Sequence, residues 1–97
     1  MERARLICSV NRALWQEVGP NLRAVMAKSD GRTIRLRFFV DGEPSEDDIE
    51  SASIAATEVI SDFPDCEMDD QVIRLDAPAR MPTNDEWLVI FMRRESV

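Results

Sequence analysis

Between Thr33 and Val40 the chain alternates without interruption, with Ile34, Leu36, Phe38 and Val40 on one parity and Thr33, Arg35, Arg37 and Phe39 on the other. A repeat of two residues places the first set on one face of an extended strand, so this stretch calls for a sheet with one side on a core. Upstream, Leu22, Ala24 and Met26 alternate with Arg23, Val25 and Ala27. Ser29-Asp30-Gly31 then supplies residues that tolerate the positive φ of a tight hairpin. Two strands joined by a short turn are therefore expected.

Helical spacing brackets this hairpin. Leu6, Ile7, Val10, Leu14 and Val18 fall on one stripe, and Gly19-Pro20 is a stop signal, which predicts a helix from about Arg3 to Val18. After Val40, Asp41-Gly42-Glu43-Pro44 opposes continued pairing, and Ser45 reads as an N-cap. Asp48 stands where a capping box places its acidic partner, and Glu46, Asp47 and Asp48 suit the positive end of a helix dipole. The second helix should run to about Asp62, closed by Phe63-Pro64. Its core stripe reads Ile49, Ala52, Ser53, Ala56, Val59 and Ile60, small enough in the middle for close packing.

A third strand is expected over Met68 to Leu75 and a fourth over Trp87 to Arg93, with Pro78 and Pro82 in the connection between them. Trp87, Val89 and Phe91 alternate with Leu88, Ile90 and Met92, so both faces of the last strand are apolar, which predicts a central or doubly covered position. The order α-β-β-α-β-β, read as two hairpins each preceded by a helix, implies an α+β two-layer sandwich. In it a four-stranded, mostly antiparallel sheet carries two helices on one face. Ninety-seven residues suffice for one domain with a thin core. Strand order is not readable from the pattern.

Several functions are disfavoured by what the sequence lacks. There is no His and no Tyr, and Lys28 is the sole lysine. The commonest general base is therefore missing, and a cysteine nucleophile would have no histidine to activate it. No phosphate loop, GxSxG or HExxH occurs, so the expectation is a non-enzyme without cofactor. Cys8 and Cys66 are too few and too far apart for a disulfide framework or a zinc site, and are expected to be buried or half-buried thiols. Asp62, Asp65, Glu67, Asp69 and Asp70 could gather a hard cation, but no EF-hand spacing supports them against a solvated acidic loop. No apolar run approaches the roughly 18 residues of a membrane span, and no signal-peptide core follows the basic start, so a cytoplasmic address is expected.

Charge is distributed unevenly. From Asp41 to Ile73 no Lys or Arg occurs, while twelve of the nineteen carboxylates fall in that stretch, and the net charge is −7. Such a field attracts basic surfaces and repels nucleic acid and anionic membrane. The helix dipole explains Glu46, Asp47 and Asp48 locally. Projected further, Asp47, Glu50 and Glu58 surround Ile54 on the face opposite the core, and Asp62 and Asp65 extend the acidic surface. An apolar side chain ringed by carboxylates is a candidate anchor for a basic partner.

Arg35, Arg37 and Arg23 should emerge on one outer sheet face beside Phe39. Arginines interleaved with an aromatic on an open sheet can hold single-stranded RNA, but in so acidic a chain cross-strand pairing with carboxylates is the favoured reading. Trp15 lies opposite the first stripe, near Cys8 and Asn11. It is read as covering the sheet edge, with a binding hot spot as the alternative. Phe39 with the last strand could form an apolar patch for self-association.

The chain resembles a group of small bacterial immunity proteins of contact-dependent growth-inhibition toxin systems. The likeness is carried by Arg12-Ala13-Leu14-Trp15 with Glu17-Val18, Leu22-Arg23-Ala24-Val25, Arg37-Phe38-Phe39 and Asp41-Gly42-Glu43. It continues through Ser45-Glu46-Asp47-Asp48 with Glu50-Ser51-Ala52, Ala56-Thr57-Glu58-Val59-Ile60 with Asp62-Phe63-Pro64, Arg74-Leu75-Asp76 and Arg93-Arg94-Glu95. The resemblance implies a cytosolic inhibitor of a toxic domain, with no family site residues to transfer. Toxic domains are often nucleases with basic channels, which an acidic binder can reach by steering and block by occupancy. Asp47, Glu50, Ile54, Glu58, Asp62 and Asp65 are the expected contact residues. Two other classes compete: a nucleic-acid-binding or regulatory module using the arginine face, and a non-catalytic homodimer.

Overall fold

A computed structural model describes residues 2–82, 84 and 86–95. Its elements are α1 (Arg3–Ala13), β1 (Leu22–Asp30), β2 (Thr33–Val40), α2 (Glu46–Ser61), β3 (Glu67–Arg74) and β4 (Leu88–Met92). The expected order is present, and so is the α+β class. Both helices lie on one face of a four-stranded sheet, where Leu6, Val10 and Ala13 of α1 and Ala52, Ala56 and Val59 of α2 meet Val25, Ile34, Leu36 and Phe38.

The hairpin forms as its sequence predicts. Asp30 pairs with Thr33, and Gly31 begins the two-residue connection at φ 62, a left-handed value that glycine adopts without strain. Ile34, Leu36, Phe38 and Val40 are all buried on the helix side.

The second hairpin does not exist. Strand order is β3-β2-β1-β4: β1 is antiparallel to both β2 and β4, whereas β3 runs parallel to β2 over its whole length, from Thr33↔Glu67 to Val40↔Arg74. Length explains the parallel pairing. Sixteen helical residues in α2 rise roughly 24 Å and eight strand residues in β2 roughly 26 Å, so the helix carries the chain back to the start of β2. A hydrogen bond from Glu67 N to Arg32 O, 2.7 Å, fixes that return.

Two bulges break the expected parity. On β1 the register jumps from Leu22↔Val40 to Ala24↔Phe39, leaving Arg23 as the extra residue. Leu22 thus joins the helix-side core, while Ala24 and Met26 turn to the opposite face. On β4 the jump from Val25↔Phe91 to Met26↔Val89 makes Ile90 the extra residue. Leu88, Ile90 and Phe91 therefore all pack inward, and Val89 and Met92 stay 46% and 51% exposed. The expectation of a central, doubly covered β4 is wrong, because the bulge and not burial explains its apolar run.

The face away from the helices is covered in part by the chain itself. Ala24, Met26 and Phe39 pack beneath Ile73, Leu75, Met81 and Trp87, so Phe39 is occupied internally and does not form the exposed patch suggested for self-association.

Two helix readings also change. α1 stops at Ala13 with Leu14 as its C-cap, five residues before the end of the predicted helix at Val18, because Gln16 adopts φ 67 and reverses the chain. Val18 is consequently exposed. α2 is rotated so that Ala52, Ala55, Ala56 and Val59 are buried, while Ile49 and Ser53 are exposed and Ile60 is only half-buried. The capping box at Ser45 forms in both directions, Asp48 N to Ser45 Oγ and Ser45 N to Asp48 Oδ2, each 3.0 Å.

Candidate functional site

The rotation of α2 determines what the molecule shows. With the alanine stripe against the sheet, the i, i+3, i+4 ridge of Asp47, Glu50, Ile54 and Glu58 points outward. At 1.5 Å per residue this ridge spans roughly 16 Å. All four side chains are exposed, and Ile54 retains 39% of its surface.

The acidic stretch divides by function within the fold. Asp41 pairs with Arg93 at 3.3 Å and Glu43 with Arg74 at 3.0 Å, and Asp69 takes both Arg35 and Arg37. Asp48 is engaged in the cap. Among the described residues, Asp47, Glu50, Glu58 and Asp65 make no ion pair and no side-chain hydrogen bond. Three of the six expected contact carboxylates and apolar residues therefore share their unspent charge with Ile54 on one ridge.

Asp62 and Asp65 are placed differently. Asp62 caps α2 and faces α1, accepting a hydrogen bond from Ser9 Oγ at 2.7 Å and another from Arg12. The Ser9 hydroxyl, and then the Arg12 charge, hold its carboxyl below the usual range. It clasps the two helices. Asp65 is exposed in the loop after α2, beside a shallow cavity of about 370 Å³ that it lines with Arg5, Phe63 and Cys66. Among the described residues, no three carboxylates or thiols converge as metal ligands.

The arginine face is committed to the fold. Arg23 is 2% exposed, and its guanidinium reaches Glu95, Leu75 O at 2.7 Å and Ala79 O at 2.9 Å. Arg35 and Arg37 share Asp69, and Arg37 also stacks on Trp87, 5.4 Å from the ring centroid. The cross-strand pairing favoured by composition is what forms, and these donors are turned to their own carboxylates.

Two features escaped the sequence. Trp15, expected to pack on the sheet edge, is 74% exposed. Its position opposite the α1 stripe was legible, but the early stop of the helix was not. Glu17, two residues on, joins Asp47, Asp48 and Ser51 around a cleft of about 360 Å³ between the α1–β1 connection and the first turns of α2. Cys8, expected to be at least half-buried, is exposed; Cys66 is half-buried as expected.

Taken together, these features define a small α+β protein whose sheet arginines Arg23, Arg35 and Arg37 are spent internally and whose α2 carries a row of unpaired carboxylates. A family model described as MafI2 immunity protein matches residues 3–95, and the chain belongs to that family. Its role is thus immunity against a toxin, which bears out the kind of protein that the resemblance implied. No curated protein matches the sequence. Among solved structures, the chain is similar to one described as "MamM CTD - Copper form", with a TM-score of 0.48 and 15% identity over 81% of this chain and 88% of that one.

Proposed function

We propose that this protein neutralises, without catalysis, the toxic domain of a toxin delivered by contact between bacterial cells, acting in the cytoplasm of the recipient. The target is a basic domain, such as a nuclease, and the inhibitor occludes its substrate channel. The unpaired ridge of Asp47, Glu50 and Glu58 around Ile54 supports this reading most directly. Carboxylates without internal partners cost little to offer to a cationic surface, and they steer its approach. Asp65 adds charge at one end of the surface, and Asp62 contributes at its margin while holding α1. No helix among the described residues is long and apolar enough to cross a membrane.

Simultaneous reversal of Asp47, Glu50 and Glu58 to lysine tests the proposal. Association with the cognate toxin domain should slow by about 10- to 100-fold at low salt, the difference shrinking as ionic strength rises. Protection of a cell expressing the toxin should fail in parallel. Unchanged protection and unchanged low-salt affinity would rule the surface out.

A further inference from the structure

We infer that Trp15 is the apolar anchor of the toxin-binding face, its indole seated in an apolar recess of a basic protein surface; this rests on the function proposed above. At 74% exposure it is the most exposed large apolar side chain among the described residues. Tryptophan is also the residue type most enriched where a few side chains dominate an interface.

Position ties Trp15 to the acidic ridge. It lies just past the Leu14 C-cap of α1, in the turn that leads to β1, and its indole is open to solvent. One turn earlier Arg12 is bonded to Asp62, and two residues later Glu17 lines a cleft with Asp47. The indole therefore lies in a segment bonded to α2 on one side, at Arg12, and facing it across a cleft on the other, at Glu17. Val18, Ile49 and Ile54 are the other exposed large apolar side chains of the helix layer and its connections.

Charge and backbone both support the assignment. Where α1 passes the end of α2, Arg12 neutralises Asp62 and Arg5 lies over Phe63, whereas Glu17, Asp47 and Asp48 gather around one cleft at the start of α2. Trp15 precedes Glu17 by two residues in the chain, where a cationic partner drawn to that cleft would meet it. The residue after it, Gln16, holds a left-handed φ of 67, the only positive φ outside glycine among the described residues. Non-glycine residues adopt that conformation at a cost, and such costs gather where a side chain must be aimed.

The test uses the full chain and an inactivated form of the cognate toxin domain. Trp15→Ala should weaken binding about 30-fold or more, chiefly through faster dissociation, with the salt dependence left as in the wild type. In a Trp87→Phe background Trp15 is the sole indole, and its emission should move to shorter wavelength on complex formation, with the toxin's own signal taken from the chain lacking both tryptophans. Affinity within about 3-fold of wild type, or an emission unmoved by saturating toxin, would overturn the anchor. Loss of binding on charge reversal with retention in Trp15→Ala would leave the proposed function standing and remove only the anchor. A wild-type chain that does not bind the domain would remove both.

Discussion

Arg23 and Glu95 meet through two hydrogen bonds, Nε to Oε2 at 2.7 Å and Nη2 to Oε1 at 2.8 Å, across seventy-two residues of sequence. The arginine is the extra residue of the β1 bulge, and its remaining donors hold Leu75 O and Ala79 O. One buried guanidinium thereby fastens the β3–β4 connection and the C-terminal segment to the sheet. Arg23→Ala is expected to cost about 2–3 kcal/mol, read from urea unfolding, because two carbonyls and a carboxylate lose their donors together. A loss no larger than that of an exposed Arg→Ala change would show that the connection is held otherwise.

Acid stability follows from the same pair. Hydrogen bonding from Arg23, and then from Arg93, lowers the Glu95 carboxyl from 4.5 to about 2. The folded value lies below the unfolded one, so the unfolded chain takes up the proton first as pH falls. The stabilising contribution is complete above 4.5 and disappears as pH drops towards 2. Glu95→Gln should therefore be less stable at neutral pH and lose stability more gently across that interval. Asp62, Asp69 and Asp76, also lowered by their hydrogen bonds, keep some slope in the variant. An acid limb as steep as that of the wild type would contradict the assignment.

Ala55 measures how closely α2 approaches its neighbours. It is 1% exposed within the alanine stripe and packed in the core between the helices and the sheet. Ala55→Leu should destabilise by about 1–3 kcal/mol through overpacking. Glu50→Ala, one and a half turns earlier on the ridge, should leave the unfolding midpoint in place. Equal effects at the two positions would mean that α2 is not rotated as described.

Gln16 offers a change in the other direction. Glycine occupies a φ of 67 without the Cβ clash that glutamine suffers. Gln16→Gly is expected to raise stability by about 0.5–1 kcal/mol, visible as a higher thermal midpoint. No gain would show that the turn after Trp15 stores no strain.

Elements specified locally were legible in the sequence. The alternation of Thr33–Val40, Gly31 at the turn and Ser45 at the cap each act within a few residues, and each appears as expected. Periodicity also exposed the ridge of Asp47, Glu50, Ile54 and Glu58. What failed depends on contacts between distant segments. Side-chain parity does not say which strand lies alongside, so the parallel β2–β3 pairing was hidden. It also cannot reveal an inserted residue, which is why Arg23 and Ile90 misled the reading of β1 and β4. Asp62 looked like part of the free acidic surface because nothing nearby in sequence marks Ser9 and Arg12 as its partners.

The place of β4 beside β1 has a consequence for folding. Among the described strands β1 is the first in sequence and β4 the last, so a chain in which β4 has not docked presents β1 as an open edge, with Ala24 and Val25 lacking Met92 and Phe91. Where two such chains meet, strand exchange competes with correct closure. Docking of β4 removes that edge and brings Glu95 to Arg23.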